Sequence, residues 1–351
     1  MRRVTKLAAV LATVTLGLAA CGSSDGGTAT PGASGSSAAA AKSDIKVGLA
    51  YDIGGRGDQS FNDSAAVGLD KAKTEFGVAT KELEASPNET DAQKEERLRL
   101  LAQGGYNPVI AVGFAYAVAL GKVAKEFPDT KFAIVDDSSL KDTNVTSLTF
   151  AEEQGSYLVG TIAAQASKTK NIGFIGGVDV PLIKKFEAGF TAGAKAVTPD
   201  IKVQVKYLTQ PPDFSGFNSP DKGKTAAQGQ LDAGADVIYA AAGGSGSGAF
   251  DAVAAAKKLA IGVDSDQYKT AAAAVQPVIL TSMLKRVDTA VYTMIKSSVD
   301  KTPLTGIQVF DLKVDGVGYS TSNSIVQPFT AKADEFKAKI ISGEITVPTT
   351  P

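Results

Sequence analysis

Histidine is absent from the 351-residue sequence, and cysteine occurs once, at Cys21. Without imidazole the chain lacks the commonest general base and the commonest metal ligand, so serine–histidine and cysteine–histidine catalysis are excluded. A single thiol closes no internal disulfide. An excess of charge of either sign is lacking too: Lys and Arg total 36 against 37 Asp and Glu, a formal net charge of -1 and a pI near 5.8. Basic runs interleaved with aromatics are missing, so no nucleic acid partner is expected. What remains, 44% hydrophobic and 21% charged residues, suits an ordinary globular protein with a sizeable core, divided more naturally into two domains than one.

Residues 1–20 read as a signal peptide. Arg2, Arg3 and Lys6 form its positive end, and "LAAVLATVTLGLAA" is an apolar run too short for a comfortable membrane span. The run ends in "LAAC", Leu18 to Cys21, which resembles the lipobox that directs diacylglyceryl attachment to cysteine and cleavage before it. Cys21 is therefore the expected lipidation site, with each acyl methylene contributing roughly 0.8 kcal/mol of membrane affinity. From Gly22 to about Ser43 the chain is almost wholly Gly, Ser, Ala, Thr and Pro, too poor in apolar surface to offset the entropy of ordering. Residues 21–43 are thus expected to form a lipidated, disordered tether with a reach of about 25 Å. The expected localisation is the extracytoplasmic face of the cell membrane, anchored without spanning.

Beyond Asp44, short Val/Ile-rich runs alternate with amphipathic stretches: "IKVGLAY", "NPVIAVG", "KFAIVDD", "VTSLTF", "NIGFIGG", "VQVKYL", "ADVIYAA", "AIGVDSD", "PVILTSM" and "GIQVFDLK". The clearest helix runs from Lys285 to Val299, where Val287, Ala290, Val291, Met294 and Ile295 recur at helical spacing. This alternation predicts an α/β fold with two doubly wound parallel-sheet domains, whose ligands sit beyond the carboxyl ends of the strands. In the first unit "IKVGLAYD" is the strand and Gly54 to Asp58 the loop. Ala65, Leu69, Ala72 and Phe76 mark the buried face of the next helix, with Gly77 as its C-cap. Asp52, Asp58, Phe61 and Asn62 then lie at the cleft end.

The glycines of "YDIGGRGDQSFND" suggest a phosphate loop, but Asp52 and Asp58 flank them and would repel an anion while accepting from hydroxyl or amine donors. Arg56-Gly57-Asp58 matches the adhesion tripeptide only as a short string. "NSPDKGKT", Asn218 to Thr225, has Walker A spacing without the leading glycine or a preceding buried strand, and reads as a surface loop entering a helix. "GGSGSG", Gly243 to Gly248, follows a strand and precedes a helix beginning near Ala249. Its spacing is not that of a dinucleotide loop, so close backbone approach to some ligand is the expectation. Neither a metal nor another cofactor is expected.

The succession "YDIGGRGDQSFND", "KFAIVDD", "TFAEEQGSYLVG", "GFIGGVDVPLIKKFEAGFTAG", "GVDSDQ" and "LTSMLKRVDTAV", from about Ile45 to Phe310, resembles the basic membrane protein family of lipoproteins, substrate-binding subunits of nucleoside importers. The resemblance implies a type I solute-binding fold, periplasmic-binding-protein-like, with two lobes joined by a three-strand hinge. The crossings are expected near Phe150, Asp266 and Thr305. They give an N-terminal lobe of residues 44–150 plus 267–305 and a C-terminal lobe of 151–266 plus 306–345. It implies a monomer that binds a nucleoside, purine above all, and delivers it to an ABC permease with its ATPase. Carried over residue by residue, Phe61 and Phe186 resemble the plates against the base, and Asp52 and Asn62 the hydrogen-bonding groups at its edge. Asp136 and Asp264 become acceptors for ribose hydroxyls, Lys285 a sugar or hinge contact starting the amphipathic helix just after a strand, and Gly243 and Gly244 points of backbone approach; for Lys285 a solvated helix-end lysine, or an ion pair with one of these aspartates, is the alternative. The loops "GGSGSG", "TAAAAVQ" and "PPDFSGFNSPD" depart from the family's pattern, which bears on ligand identity more than on ligand class. Two other readings stay open: a receptor of the same fold for a sugar or sugar-like signal, and a nucleoside hydrolase using Asp136, Asp137, Asp264 and Asp266.

Overall fold

The computed structural model describes residues 43–351. The expected signal peptide, Cys21 and nearly all of the tether lie outside the described residues. The chain alternates strand and helix through β1 (Lys46–Ala50), α1 (Phe61–Phe76), β2 (Ala79–Leu83), α2 (Asp91–Gln103), β3 (Val109–Ala111), α3 (Ala117–Glu126), β4 (Phe132–Val135) and β5 (Val145–Phe150). A second series follows as α4 (Glu152–Ala166), β6 (Asn171–Val178), α5 (Pro181–Val197), β7 (Lys202–Thr209), α6 (Pro220–Asp232), β8 (Val237–Ala241), α7 (Gly246–Ala255) and β9 (Leu259–Asp264). The chain ends with α8 (Gln267–Thr270), β10 (Ile279–Lys285), α9 (Val287–Val299), β11 (Gly306–Phe310), β12 (Val317–Tyr319) and α10 (Gln327–Ser342).

These strands form two six-stranded sheets, ordered β11-β5-β4-β3-β1-β2 and β12-β10-β9-β8-β6-β7. The first is parallel throughout, and the second is parallel except for the β10/β12 pair. Strand for strand the second sheet repeats the first, a duplication of topology that leaves no repeat visible by eye in the residues. The inner strands β3, β4 and β8 are buried along their whole length, as helices on both faces require. Helix α1 buries Ala65, Leu69 and Ala72 and closes on Gly77, whose φ of 65° suits a residue without Cβ and whose N–H bonds Lys73 O.

Three passages connect the sheets: after Phe150, between Lys285 and Val287, and after Phe310. The lobe boundaries expected at 266/267 and 305/306 are therefore corrected. Residues 279–285 complete the second sheet by pairing with β9, and 306–310 pair with β5 in the first, from Gly306 against Thr146 to Phe310 against Phe150. Those boundaries were placed from the family resemblance, whereas β10 and β11 each pair into a sheet before the chain leaves it. Two strands escaped the sequence reading. β2 ("ATKEL") is a half-exposed edge with little apolar content, and β12 is three residues long. Lys285 is the last residue of β10 and not the start of a helix, since α9 begins at Val287. α7 begins at Gly246, three residues before the expected Ala249, and "NSPDKGKT" enters α6 at Pro220.

One packing detail fixes the second lobe's contribution to the site. Gly189 and Gly193 of α5 face the backbone of α4 at Glu153 and Tyr157, where any Cβ would clash. That close approach holds α5, which carries Phe186, against α4, which carries Glu152.

Candidate functional site

Between the carboxyl ends of the two sheets lies a cleft enclosing, with its mouth, about 560 Å³ of non-atom space. Of the nine residues singled out above, Asp52, Phe61, Asn62, Asp136, Phe186, Gly243, Asp264 and Lys285 line it. Gly244 does not. A Cβ built there would sit 3.1 Å from Asn218 Oδ1, so this glycine serves the close approach of the β7–α6 segment within the second lobe.

The loop after β1 is held by its own side chains. Asp58 accepts from the backbone N–H of Ser60 (2.8 Å), Asn62 (2.9 Å) and Asp63 (3.1 Å), satisfying donors at the start of α1. Asn62, 1% exposed, accepts from Asp52 N–H at 3.0 Å and donates to Ile53 O at 3.2 Å and to Asp58 Oδ2 at 3.0 Å. Both its N–H bonds are thus spent on the loop, which gives Asn62 the part of shaping the wall in place of reading a base edge. Asp58 is likewise occupied, so Arg56-Gly57-Asp58 presents no free carboxylate for adhesion. The other end of the loop sets Asp52 beside Gly113, where a Cβ would strike the carboxylate and where φ is 107°.

Asp136 directly follows β4 and Asp264 ends the corresponding strand β9, and both adopt positive φ, 69° and 63°. Left-handed backbone costs about a kcal/mol outside glycine and persists where surroundings enforce it. Here it turns one carboxylate from each lobe into the same cleft. Asp264 Oδ2 accepts from Ser60 Oγ at 2.7 Å, while Ser265 Oγ donates to Ser60 O at 2.7 Å and Gln267 Nε2 to Gln59 O at 3.1 Å, so the lobes are joined along this edge.

Lys285 is 2% exposed and is the only basic side chain on the cleft wall among the described residues. Its Nζ lies 2.6 Å from Asp136 Oδ2 and 3.2 Å from Glu152 Oε1, and Glu152 Oε2 meets Lys185 Nζ at 3.1 Å. Three rings surround the ammonium, with centroids at 5.2 Å (Phe61), 5.0 Å (Phe150) and 5.6 Å (Phe186). Burial draws its pKa down, and Asp136, Glu152 and Asp264 more than reverse this, holding it above the ordinary lysine range. Asp136 Oδ1, by contrast, is buried without a hydrogen-bond partner among the described residues. An acceptor left open in this way, on a wall that also carries rings, asks for a donor from a bound molecule.

Burial raises the carboxyl pKa of Asp52 to about 6, of Asp136 to about 6 and of Asp264 to about 7. Unfolded aspartate titrates near 3.9, so between about pH 4 and 7 the folded chain holds protons that the unfolded chain releases. These groups therefore lower stability as pH rises through that window. The Asp264→Asn variant is expected to show a flatter loss of Tm between pH 5 and 8 than the wild type, read by thermal unfolding without ligand. An equal slope would contradict the assignment.

Sequence reasoning missed Phe114, Phe217 and Gly113 on the wall and Glu152 behind it. Gly113 had a signal: it follows β3 as the predicted Gly243 follows β8 in the repeated order.

A family profile, Bmp, described as "ABC transporter substrate-binding protein PnrA-like", matches residues 45–351. The chain is 36% identical to the CD4+ T-cell-stimulating antigen of Listeria monocytogenes over 328 residues, 88% of this chain and 89% of that one. It is 35% identical to the ABC transporter nucleoside-binding protein BmpA of Lactococcus lactis over 370 aligned positions, 99% of each chain. Among solved structures it superposes on an ABC transporter solute-binding protein of Aeropyrum pernix with a TM-score of 0.75 and 32% identity, covering 87% of this chain and 93% of that one. The two parallel-dominated sheets and the three passages between them are the type I solute-binding architecture. This chain belongs to the Bmp family of ABC transporter substrate-binding proteins.

Proposed function

We propose that the protein is an extracytoplasmic receptor that captures a nucleoside, purine above all, between its lobes and presents it to an ABC permease and its ATPase. The observation that carries this reading is the meeting, in one cleft between the lobes, of Phe61 and Phe186 with the carboxylates of Asp52, Asp136 and Asp264, Asp136 keeping an open acceptor among the described residues. Rings enclose a flat heterocycle and exclude water from its faces, and carboxylates accept from the hydroxyls of its sugar. The name of the lactococcal relative supports a nucleoside as the guest. No chemistry is required of the chain: Lys285 and Asp136 neutralise one another, and the remaining groups bind. Cys21 is the proposed lipid anchor. Among the described residues no helix is long and apolar enough to cross a membrane.

Calorimetry with inosine, guanosine, adenosine, cytidine and free ribose tests the reading. Saturable binding of at least one purine nucleoside, stronger than that of ribose, is expected. No heat from any nucleoside at millimolar concentration would overturn it, and binding of ribose with no gain from the base would favour a sugar receptor. Four carboxylates face the cleft against a single, already paired ammonium. Nucleoside 5′-monophosphates are accordingly expected to bind at least about tenfold more weakly than the parent nucleosides, through repulsion in a low-dielectric site. Equal affinity for inosine and its monophosphate would count against the charge argument.

A further inference from the structure

The lobes also meet on the side of the cleft away from the passages between them. The segment between β7 and α6 carries two phenylalanines with different environments. Phe217 lines the cleft, whereas Phe214 does not, and packs edge-on against Phe114 of the first lobe with ring centroids 6.0 Å apart. Phe114 itself is on the wall. We infer that Phe214 is a positioning residue that clamps Phe114 across the mouth and thereby sets how slowly a captured ligand leaves.

The passages leave from β5, β10 and β11, at one side of each sheet, while β7 is the opposite edge of the second sheet. Four strand spacings separate β10 from β7, roughly 19 Å at the usual interval. When the lobes turn about the passages, contacts beside them, such as Lys285 with Asp136, change little. The Phe114–Phe214 contact joins the segment after β7 to the segment after β3, itself two strand spacings from β5, so it lies farther from the passages than Lys285 with Asp136 and is made only on closing. Its segment is already rigid: Thr209 Oγ1 donates to Asp213 O at 2.6 Å, Ser215 N–H to Asp213 Oδ1 at 2.8 Å, and Ser245 Oγ to Gly216 O at 2.7 Å. Phe214 is thus presented without an ordering cost at the moment of closure. A contact formed after encounter and broken before release acts on dissociation and not on association.

This inference rests on the nucleoside-receptor reading and is tested by release of radiolabelled inosine into an excess of unlabelled inosine, with association measured separately. Phe214→Ala is expected to speed release about three- to tenfold, the worth of one edge-to-face aromatic pair, with the association rate within about twofold of wild type. Phe214→Tyr, which keeps the ring, is expected to release at the wild-type rate. Phe214→Leu, which keeps apolar bulk should the alanine variant fold poorly, is expected to speed release by about two- to threefold. Unchanged release in the alanine and leucine variants, or an affinity loss lying wholly in association, would overturn the inference alone. Failure of the wild type to bind any of the nucleosides would overturn the reading beneath it.

Discussion

Replacing Phe61 with alanine is expected to weaken nucleoside binding roughly five- to a hundredfold, the value of one base–aromatic stack, while the protein stays folded. Phe61 opens α1, is half-buried, and packs only in part against the first lobe's core. Its ring is therefore available to a guest, and its loss costs little packing. Phe186 is the contrasting case. It is 2% exposed and sits within the second lobe's apolar cluster while also lining the cleft. Phe186→Ala is expected to lose affinity and also about 3–5 kcal/mol of stability, as truncations of buried phenylalanine do. Calorimetry alongside thermal unfolding separates the two effects. A Phe61→Ala variant that binds inosine as the wild type does would remove that ring from the site.

The second large effect concerns Lys285. Lys285→Met leaves Asp136 and Glu152 facing each other in the interior without their shared ammonium. Removing one partner of a buried ion pair costs about 3–5 kcal/mol because the remaining charge stays uncompensated. For a body of this size the expected fall in Tm is on the order of 10 °C. The sign of its pH dependence follows from Asp136. Lys285 lowers that carboxyl's pKa, already about 6, so without the lysine it rises further. The deficit is then greatest above neutrality and shrinks as Asp136 takes up a proton toward pH 4. Adding Asp136→Asn in the Lys285→Met background is expected to recover part of the loss. A deficit independent of pH, with no recovery in the double variant, would show that the lysine acts through packing alone.

Much of the site was readable because each doubly wound sheet delivers its strand ends to the cleft. Asp52, in "LAYD", followed from the strand pattern, Asp136 and Asp264, in "IVDD" and "GVDSD", from the family resemblance, and the helix after β1 fell where its apolar spacing set it; all three aspartates line the cleft. The pairing of Lys285 with an aspartate stood only as an alternative. Lys285 looked like the start of a helix because the 3.6-residue pattern of Val287 to Ile295 extends back over it. Its true partner, Asp136, lies 149 residues earlier. Two of the three passages were misplaced as well, since membership of a sheet is decided by neighbours distant in sequence. Asn62 was singled out for its donor and acceptor, and both prove to be used by the loop it stands in. Glu152, inside "TFAEEQG", carried no sign that it would be fully buried against two lysines.

In the proposed complex a flat guest lies between rings from separate lobes with its sugar on the strand-end carboxylates. A crystal structure of the protein grown with inosine tests this most directly. It should show the base in contact with Phe61 and Phe186 and the ribose hydroxyls within hydrogen-bonding distance of Asp136 and Asp264. Density for inosine elsewhere on the molecule, or an empty cleft in crystals saturated with it, would contradict the assignment.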